Sequence, residues 1–193
     1  MLSQLPDWLP RIFRKNQNAG VTSGNSNLIS KAFVTVALSM GIILSGLAAY
    51  QLRIQQKVIE DGNRKQIGLW LAEQAKSQLD TVFLEPLGYI GFYSQLKMLD
   101  FPGLAAPEVV AARKKLGSDR AAGLIQELKP DWLVLRAAEA QRISTSAPEL
   151  LTQVYQEAKI FDVSDVVSSY GWLPGRDYLE ADQSYIVFRR RSN

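Results

Sequence analysis

An uncharged apolar stretch near the N-terminus restricts the fold more than any other feature of this sequence. It runs from Ala32 to Leu52 and reads AFVTVALSMGIILSGLAAYQL, which is 21 residues. As an α-helix it would be roughly 31 Å long, about the hydrocarbon thickness of a bilayer. Lys31 and Arg53 flank the stretch, and Tyr50 occupies a position typical of an interfacial aromatic residue. The stretch therefore predicts one transmembrane helix.

A cleaved signal peptide is the alternative interpretation of the same stretch. Its apolar core would be Ala32–Leu44, with cleavage after the small-x-small sequence Gly46-Leu47-Ala48. The 31 residues before the stretch are long for the basic leader of a signal peptide, and the apolar run continues to Leu52. Both features favour a retained membrane anchor.

Small residues recur at every fourth position of the predicted span, at Ala37, Gly41, Ser45 and Ala49. Residues four apart share one face of a helix, and a face of small side chains lets a second helix approach closely. Such a stripe also arises in membrane helices that have no helical partner, because Ala, Gly and Ser are common there. The sequence predicts contact with the lipid bilayer and with either a polytopic membrane protein or a second copy of this chain.

Composition excludes several classes of function. The chain has no Cys and no His, which removes thiol nucleophiles, imidazole bases and most zinc or haem sites. Its formal net charge is only +3, and its basic run is confined to Arg189–Arg191, so we expect no nucleic-acid partner. No nucleotide-binding, hydrolase or kinase motif is present. We predict no metal, no cofactor and no catalytic residues.

The residues before the span divide into an arm and a linker. Residues 1–15 have apolar and basic side chains at helical spacing, which predicts a short helix that lies on a membrane surface or binds a partner. Pro10 interrupts this pattern. The arm residues in question are Trp8, Leu9, Arg11, Ile12, Phe13 and Arg14. Residues 16–27 are rich in Gly, Ser and Asn and predict a flexible linker. The predicted segments are 1–30 for the arm and linker, 31–60 for the membrane helix and its extension, and 61–193 for a soluble domain.

The remaining chain predicts a small three-layer α/β domain with a mainly parallel sheet and an antiparallel edge. Asp61-Gly62-Asn63 is a turn signal that would end the membrane helix, and an amphipathic helix follows it. Alternating strand and helix patterns favour βαβ units. The predicted strands are Thr81–Glu85, Lys97–Asp100, Trp132–Arg136, Ala158–Val163 and Ser184–Arg191. The predicted helices are Leu87–Gln95, Glu108–Leu116, Arg120–Leu128 and a segment from Pro148 through Tyr155.

Two carboxylates end predicted strands, Glu85 after TVFL and Asp100 after KML. In open α/β sheets ligands collect beyond the carboxyl ends of strands, where such a pair could bind a metal, a sugar hydroxyl or a cation, or act as acid and base. Tyr89 and Tyr93 lie nearby in the sequence and could stack on a sugar ring. The alternatives are structural: the acids would cap turns beside Pro and Gly, and the tyrosines would form the buried face of a helix.

Three stretches together resemble a known family. They are TVFLEPLGYIGFYSQLKMLDFPGL, PEVVAARKKLGSDRAAGLIQELKPDWLVLR and LPGRDYLEADQSYIVFRRR. They resemble the C-terminal soluble domain of bacterial GT-C-type (dolichyl-phosphate-mannose-type) polytopic membrane glycosyltransferases. The likeness covers roughly residues 67–191. In that family the domain is extracytoplasmic, which implies a periplasmic domain and a cytoplasmic N-terminus here. Four Lys or Arg residues precede the span and four follow it between residues 53 and 65, so charge alone gives no orientation.

The resemblance does not extend to the family's catalytic acid, which lies in a loop of a multi-span bundle. We therefore expect a non-catalytic accessory or assembly subunit of a larger membrane complex, either energy-transducing or photosynthetic, or one that assembles glycans. Two alternatives stay open. One is a split glycosyltransferase component that uses polyprenyl-phosphate sugars. The other is a sugar- or cation-binding module.

Overall fold

A long helix opens the fold. The structure, a computed structural model, describes residues 23–117 and 120–192. The first helix, α1 (Ser23–Ile54), continues through π-helical turns over Gln55–Arg64 into α2 (Lys65–Gln74). The continuous helix Leu28–Gln74 contains a window that is long and apolar enough to span a membrane, and no side chain of that window is buried. Chain contacts divide the protein into two units after Gly46. The predicted arm and most of the linker lie outside the described residues.

The predicted turn at Asp61-Gly62-Asn63 is wrong, because the helix runs through these residues in π-helical form. Tertiary contacts of this segment override the local turn preference. Val58 and Ile59 are buried against the C-terminal part of the domain. Asn63 is also buried, and its side-chain amide donates to the carbonyl oxygens of Asp182 and Gln183. These contacts hold the wide helical turns in place.

Five strands form one mixed sheet in the order β2-β1-β3-β5-β4. Strands β1 (Thr81–Leu84), β2 (Lys97–Asp100) and β3 (Trp132–Arg136) are parallel. Strand β5 (Ser184–Arg190) pairs antiparallel with β3 and with the edge strand β4 (Tyr155–Asp162). The predicted α/β class, parallel centre and antiparallel edge are confirmed.

Helices cover both faces of the sheet and complete the three layers. On one face, α2 and α3 (Leu87–Ser94) pack on Val82, Leu84 and Val134. The other face carries the helices α4 (Pro107–Leu116), α5 (Ala121–Leu128) and α6 (Ala137–Ser146). Alternate strand residues such as Phe83 and Leu135 point toward these three helices. Every central strand is thus buried on both faces, which explains its nearly continuous apolar sequence.

The sequence prediction differs from the structure after β3. Helix α6 was not predicted, although Ala140 and Ile143 give it a buried face. The predicted helix through Tyr155 ends at Val154 after a π-helical stretch, Leu150–Val154. Tyr155 instead begins β4, where it is fully buried and its hydroxyl donates to the Pro130 carbonyl oxygen at 2.8 Å. The burial of Tyr155 and its hydrogen bond stabilise the strand in place of a continued helix. Two short helices, α7 (Ser164–Ser168) and α8 (Asp177–Ala181), lie between β4 and β5.

Candidate functional site

An ionic network lies at the carboxyl ends of β1 and β3. Arg136, the last residue of β3, is its centre, and its side chain is only 19% exposed. The Arg136 guanidinium pairs with Glu85 after β1, with Glu139 in the first turn of α6 at 2.8 Å, and with Asp182 before β5 at 2.6 Å. The backbone N–H of Arg136 also donates to Glu139, which caps α6. One arginine therefore joins three separate parts of the chain.

Asp182 extends this network to the long helix. One of its oxygens accepts hydrogen bonds from Arg136 Nε and from the Tyr185 hydroxyl, and the other accepts from Arg64 Nη2 at 2.7 Å. Burial alone would raise the pKa of Asp182, but the hydrogen bonds from Tyr185 and Arg136 and the charges of both arginines lower it below its ordinary value. Asp182 is therefore a stable anion between two cations.

For two glutamates of the network the pKa is raised above its ordinary value rather than lowered. Burial raises the pKa of Glu139, against the hydrogen bonds from Arg136, and a hydrogen bond with the Glu85 carboxyl raises it further. Burial also raises the pKa of Glu60, which pairs with Arg64 at 2.6 Å. Four carboxylates and two guanidiniums give the network a formal charge of −2 when all are ionised. Such a site is short of positive charge and favours proton uptake or a hydrogen-bond donor from outside.

A cavity of about 370 Å³ lies beside this network. Its wall is mainly apolar and includes Phe83, Phe101, Leu135 and Ile143. Glu85 and Glu139 bring carboxylates to it, and Arg120 and Arg142 bring guanidiniums. The volume and the apolar lining with a few polar groups are typical of a site for a small molecule. Its position at the carboxyl ends of parallel strands is the usual ligand position in α/β folds.

The residues predicted for a ligand site separate in the structure. Glu85 lines the cavity, whereas Asp100 is buried and caps the following turn, where its oxygens accept hydrogen bonds from the N–H groups of Leu104 at 2.6 Å and Ala105 at 2.9 Å. Tyr89 and Tyr93 lie on α3, across the sheet from the cavity. The Tyr89 hydroxyl accepts from Gln56, and Lys65 lies 5.0 Å from the centre of the Tyr93 ring. Only Glu85 of the four is therefore placed at the cavity.

The predicted structural role of the two tyrosines is also different in detail. Ile90 and Ser94 form the buried face of α3, while Tyr89 and Tyr93 are only partly buried and Phe92 is 68% exposed.

In α1, the residues Ala37, Gly41, Ser45 and Ala49 are all exposed, and a side chain added at Gly41 would meet no atom within 4 Å. The predicted arm residues Trp8, Leu9, Arg11, Ile12, Phe13 and Arg14 lie outside the described part of the chain.

Sequence reasoning missed the residues that organise the network. Arg136 and Asp182 are 46 positions apart, and Arg64 lies in a helix that was expected to end before it. One signal was available: Arg136 ends the apolar run WLVL, which places a charge at the carboxyl end of a buried strand. Across residues 23–117 and 120–192, no cluster of three or more acidic residues has the arrangement of a metal site.

A larger cavity, of about 740 Å³, lies at the opposite end of the sheet. Its charged side chains are largely engaged with each other or with the backbone. Arg190 pairs with Asp131 at 2.8 Å, Arg189 lies over the Trp132 ring, and Arg191 donates to the Tyr155 carbonyl oxygen. These contacts fasten the edge of the sheet, so the smaller cavity is the better candidate for a binding site.

The residues that match a known family agree with the division of the chain into two units after Gly46. Residues 48–188 match a family described as Domain of unknown function (DUF8728), and the chain belongs to that family. The match begins inside α1, so the last turns of that helix belong to the family's domain. No curated protein and no solved structure matches the chain significantly.

Proposed function

We propose that this protein is a single-pass membrane protein that acts as a non-catalytic accessory or assembly subunit of a larger integral membrane complex. The observation that carries the proposal is the apolar part of α1, where the most apolar window has no buried side chain. Such a surface needs lipid or another membrane helix around it. The exposed stripe of Ala37, Gly41, Ser45 and Ala49 is the face where a second helix would pack.

The connection between helix and domain supports a role in assembly. The last turns of α1, from Leu47 onward, belong to the same compact unit as the domain, where Ile54, Val58 and Ile59 are buried. The Arg64–Asp182 pair fastens the π-helical segment after α1 to the turn before β5. A partner that contacts residues 47–54 would therefore contact the same unit as the domain.

The proposal places the N-terminus in the cytoplasm and the domain outside it, and it derives the domain from the C-terminal domain of GT-C glycosyltransferases. The motifs EPLGYIGFYS, DFPGL and ELKPDWLVLR support both statements. The orientation can be tested directly because the chain contains no native Cys. Leu79 is 83% exposed, and in the variant Leu79→Cys a membrane-impermeant maleimide should label intact cells. Labelling only after the cells are opened would reverse the orientation.

The helix contact can be tested with two matched substitutions. Gly41 and Gly46 both lie in α1, and neither has an atom within 4 Å of an added side chain. They are about 140° apart around the helix axis, so only Gly41 belongs to the stripe. Gly41→Leu should remove the membrane partners that purify with the full chain, whereas Gly46→Leu should retain them. Equal retention by both variants would exclude the stripe as the contact face.

The cavity at Glu85 and Glu139 favours a second function, the binding of a small hydroxylated ligand such as a sugar. Two carboxyl groups can accept hydrogen bonds from hydroxyls, Arg120 and Arg142 can donate them, and Phe83 and Phe101 provide apolar ring surface. This function does not conflict with a role in assembly.

Saturation-transfer NMR of the full chain in detergent, with hexoses and their methyl glycosides as probes, tests this second function. Glu139→Gln and Glu85→Gln should weaken any transfer. Glu127→Gln is the matched control, because Glu127 pairs with Lys115 on the surface and does not line the cavity. Transfer that is unchanged in the cavity variants, or undetectable in the wild type, would remove sugars from consideration.

A further inference from the structure

The segment between β4 and β5 has one face buried and one face exposed. Val167, Leu173 and Leu179 pack against the helix residues Ile54, Val58 and Ile59. On the outside, Trp172 is 63% exposed and Tyr178 is 73% exposed. Single exposed apolar residues are common on protein surfaces, so exposure alone does not indicate a binding face. What the exposure of Trp172 and Tyr178 implies depends on where residues 164–182 lie along the helix.

Residues 164–182 contact the helix at Tyr50 and Gln51. The Trp172 ring stacks on Tyr50 with 5.9 Å between ring centres. Gln51 Nε2 donates to the Gly175 carbonyl oxygen at 3.1 Å. Gly175 has a φ of +75°, which favours glycine, and an added Cβ would displace the Gln51 amide from this contact. Trp172 is thereby held beside Tyr50, and the Tyr178 backbone N–H donates to the same Gly175 carbonyl oxygen at 3.3 Å.

Tyr50 and Gln51 lie at the end of the apolar run Ala32–Leu52. Leu52 is the last residue of the uncharged stretch and is 66% exposed, and Arg53 is the first charge after it. In a membrane-spanning helix this transition marks the interface between hydrocarbon and headgroups. Trp and Tyr prefer that zone, because their rings are apolar and their N–H and O–H groups still reach water. The exposed face is continuous with the predicted membrane interface.

The charges beside this face are mixed. Arg176 pairs with Glu180 at 3.0 Å, and Asp177 opens α8. Arg53 and Lys57 are exposed on the nearby helix surface. Because charges of both signs are present, attraction to anionic lipids is not the main force. The main force is contact of the aromatic rings with the membrane interface.

We propose that residues 164–182 are a membrane-contact segment, in which Trp172 and Tyr178 enter the headgroup region of the same bilayer that α1 spans. The proposal rests on the membrane anchoring in the proposed function and adds a second attachment of the domain to the lipid surface. A single spanning helix can tilt in the bilayer. Trp172, which stacks on Tyr50, and Tyr178 would restrict that tilt when both rings lie in the headgroup region.

Nitroxide depth measurements on the full chain in phosphatidylcholine nanodiscs test the proposal. Because the chain has no native Cys, single labels can be placed by Trp172→Cys, Tyr178→Cys, Ile42→Cys and Leu79→Cys. Ile42 lies in the apolar run, and Leu79 is an exposed apolar residue after α2, a helix that ends 22 residues beyond Leu52. Labels at 172 and 178 should collide more with oxygen than with a water-soluble nickel chelate, and the label at 79 should show the reverse.

The label at 42 separates failure of the inference from failure of the anchor. A label at 42 in the bilayer with labels at 172 and 178 in water would overturn the contact segment alone. A label at 42 in water would overturn the anchor and the inference together. Adding anionic phosphatidylglycerol should leave the depths at 172 and 178 unchanged, and burial only with that lipid would contradict the proposed aromatic contact.

A second measurement avoids any loss of folding that the Trp172→Cys variant could cause. In Trp172→Phe the ring and its apolar character remain, while the fluorescent group is removed. With Trp8→Phe introduced in both proteins, brominated phosphatidylcholine should quench the protein that keeps Trp172 more than this variant, since Trp70 and Trp132 lie in the domain core. Equal quenching of the two proteins would show that Trp172 does not contact lipid.

Discussion

Arg64 and Asp182 are 118 positions apart in the chain, and their side chains form an ion pair at 2.7 Å. The pair joins the helix that enters the domain to the turn before β5. Both side chains are about 85–87% buried, so the interaction is screened less than a surface pair. It connects the π-helical segment Gln55–Arg64 to the network beside the cavity.

Replacing Asp182 should therefore destabilise the domain strongly. Asp182→Asn removes the anion between Arg64 and Arg136 and leaves two partly buried cations with incomplete compensation. We expect a loss of about 2–4 kcal/mol in the free energy of unfolding. Denaturant unfolding of the full chain in detergent measures it. Glu180→Gln, which breaks an exposed pair with Arg176, should change stability by less than about 1 kcal/mol. Similar losses in both variants would show that burial of the network does not matter.

Stability should depend on pH in two stages. Burial raises the pKa values of Glu139 and Glu60 above the ordinary 4.5, so the folded state binds their protons more readily than the unfolded state. As the pH falls from neutral toward 4.5, both groups therefore increase stability. The pKa of Asp182 lies below its ordinary 3.8, so its contribution is present above 3.8 and is lost as the pH falls further.

The melting temperature of the full chain should accordingly be highest at mildly acidic pH and decrease in stronger acid. Glu139→Gln should reduce the increase between neutral and mildly acidic pH and keep the decrease in strong acid. A melting temperature that decreases steadily from neutral pH in the wild type would contradict the raised pKa values.

Gly68 should be intolerant of any side chain. It lies where α2 meets α3, and an added Cβ would come within 2.9 Å of Tyr93 Cβ and 3.0 Å of the Ile90 carbonyl oxygen. Because a backbone atom is involved, the two helices would have to separate, at a cost of about 1–3 kcal/mol for Gly68→Ala. Gly88 lies in α3 with no atom within 4 Å, so Gly88→Ala should not destabilise the domain. Thermal unfolding of both variants provides the comparison.

Asp100 and Glu85 should respond differently to substitution. Asp100→Ala removes a buried carboxylate that accepts two backbone hydrogen bonds, and we expect a loss of about 1–3 kcal/mol. Glu85 is about half exposed, so Glu85→Gln should cost less than about 1 kcal/mol in stability and act mainly on ligand binding. A stable Asp100→Ala protein that has lost ligand binding would restore Asp100 to the site.

Local patterns predicted the central sheet well. Thr81–Leu84, Lys97–Asp100 and Trp132–Arg136 are short apolar runs bounded by Pro, Gly or charged residues, and their alternate residues pack on opposite faces. The prediction failed where tertiary contacts decide the structure. Asp61-Gly62-Asn63 has the composition of a turn, yet the buried amide of Asn63 donates to Asp182 and Gln183 and holds these residues in the helix.

The candidate site was predictable only in part, for a related reason. Glu85 could be placed at the carboxyl end of a strand from the sequence, because strand ends are marked locally. Its partner Arg136 comes from another strand, and Glu139 comes from α6, whose polar sequence AAEAQRISTS gave a weak helical pattern. Asp100 stands at the same edge of the sheet as Glu85, but only the hydrogen bonds to Leu104 and Ala105 show that it faces its own turn. The direction in which side chains point at the strand ends could not be predicted from the sequence.

The most direct test of the account is the size and composition of the particle that contains this protein in native membranes. Extraction in mild detergent, followed by native sizing and mass spectrometry, measures both. The account predicts a large particle in which the chain migrates with defined polytopic membrane proteins, whose identity would name the process it serves. A free monomer from the same membranes would contradict the accessory-subunit proposal and leave the cavity at Glu85 and Glu139 as the basis of its function.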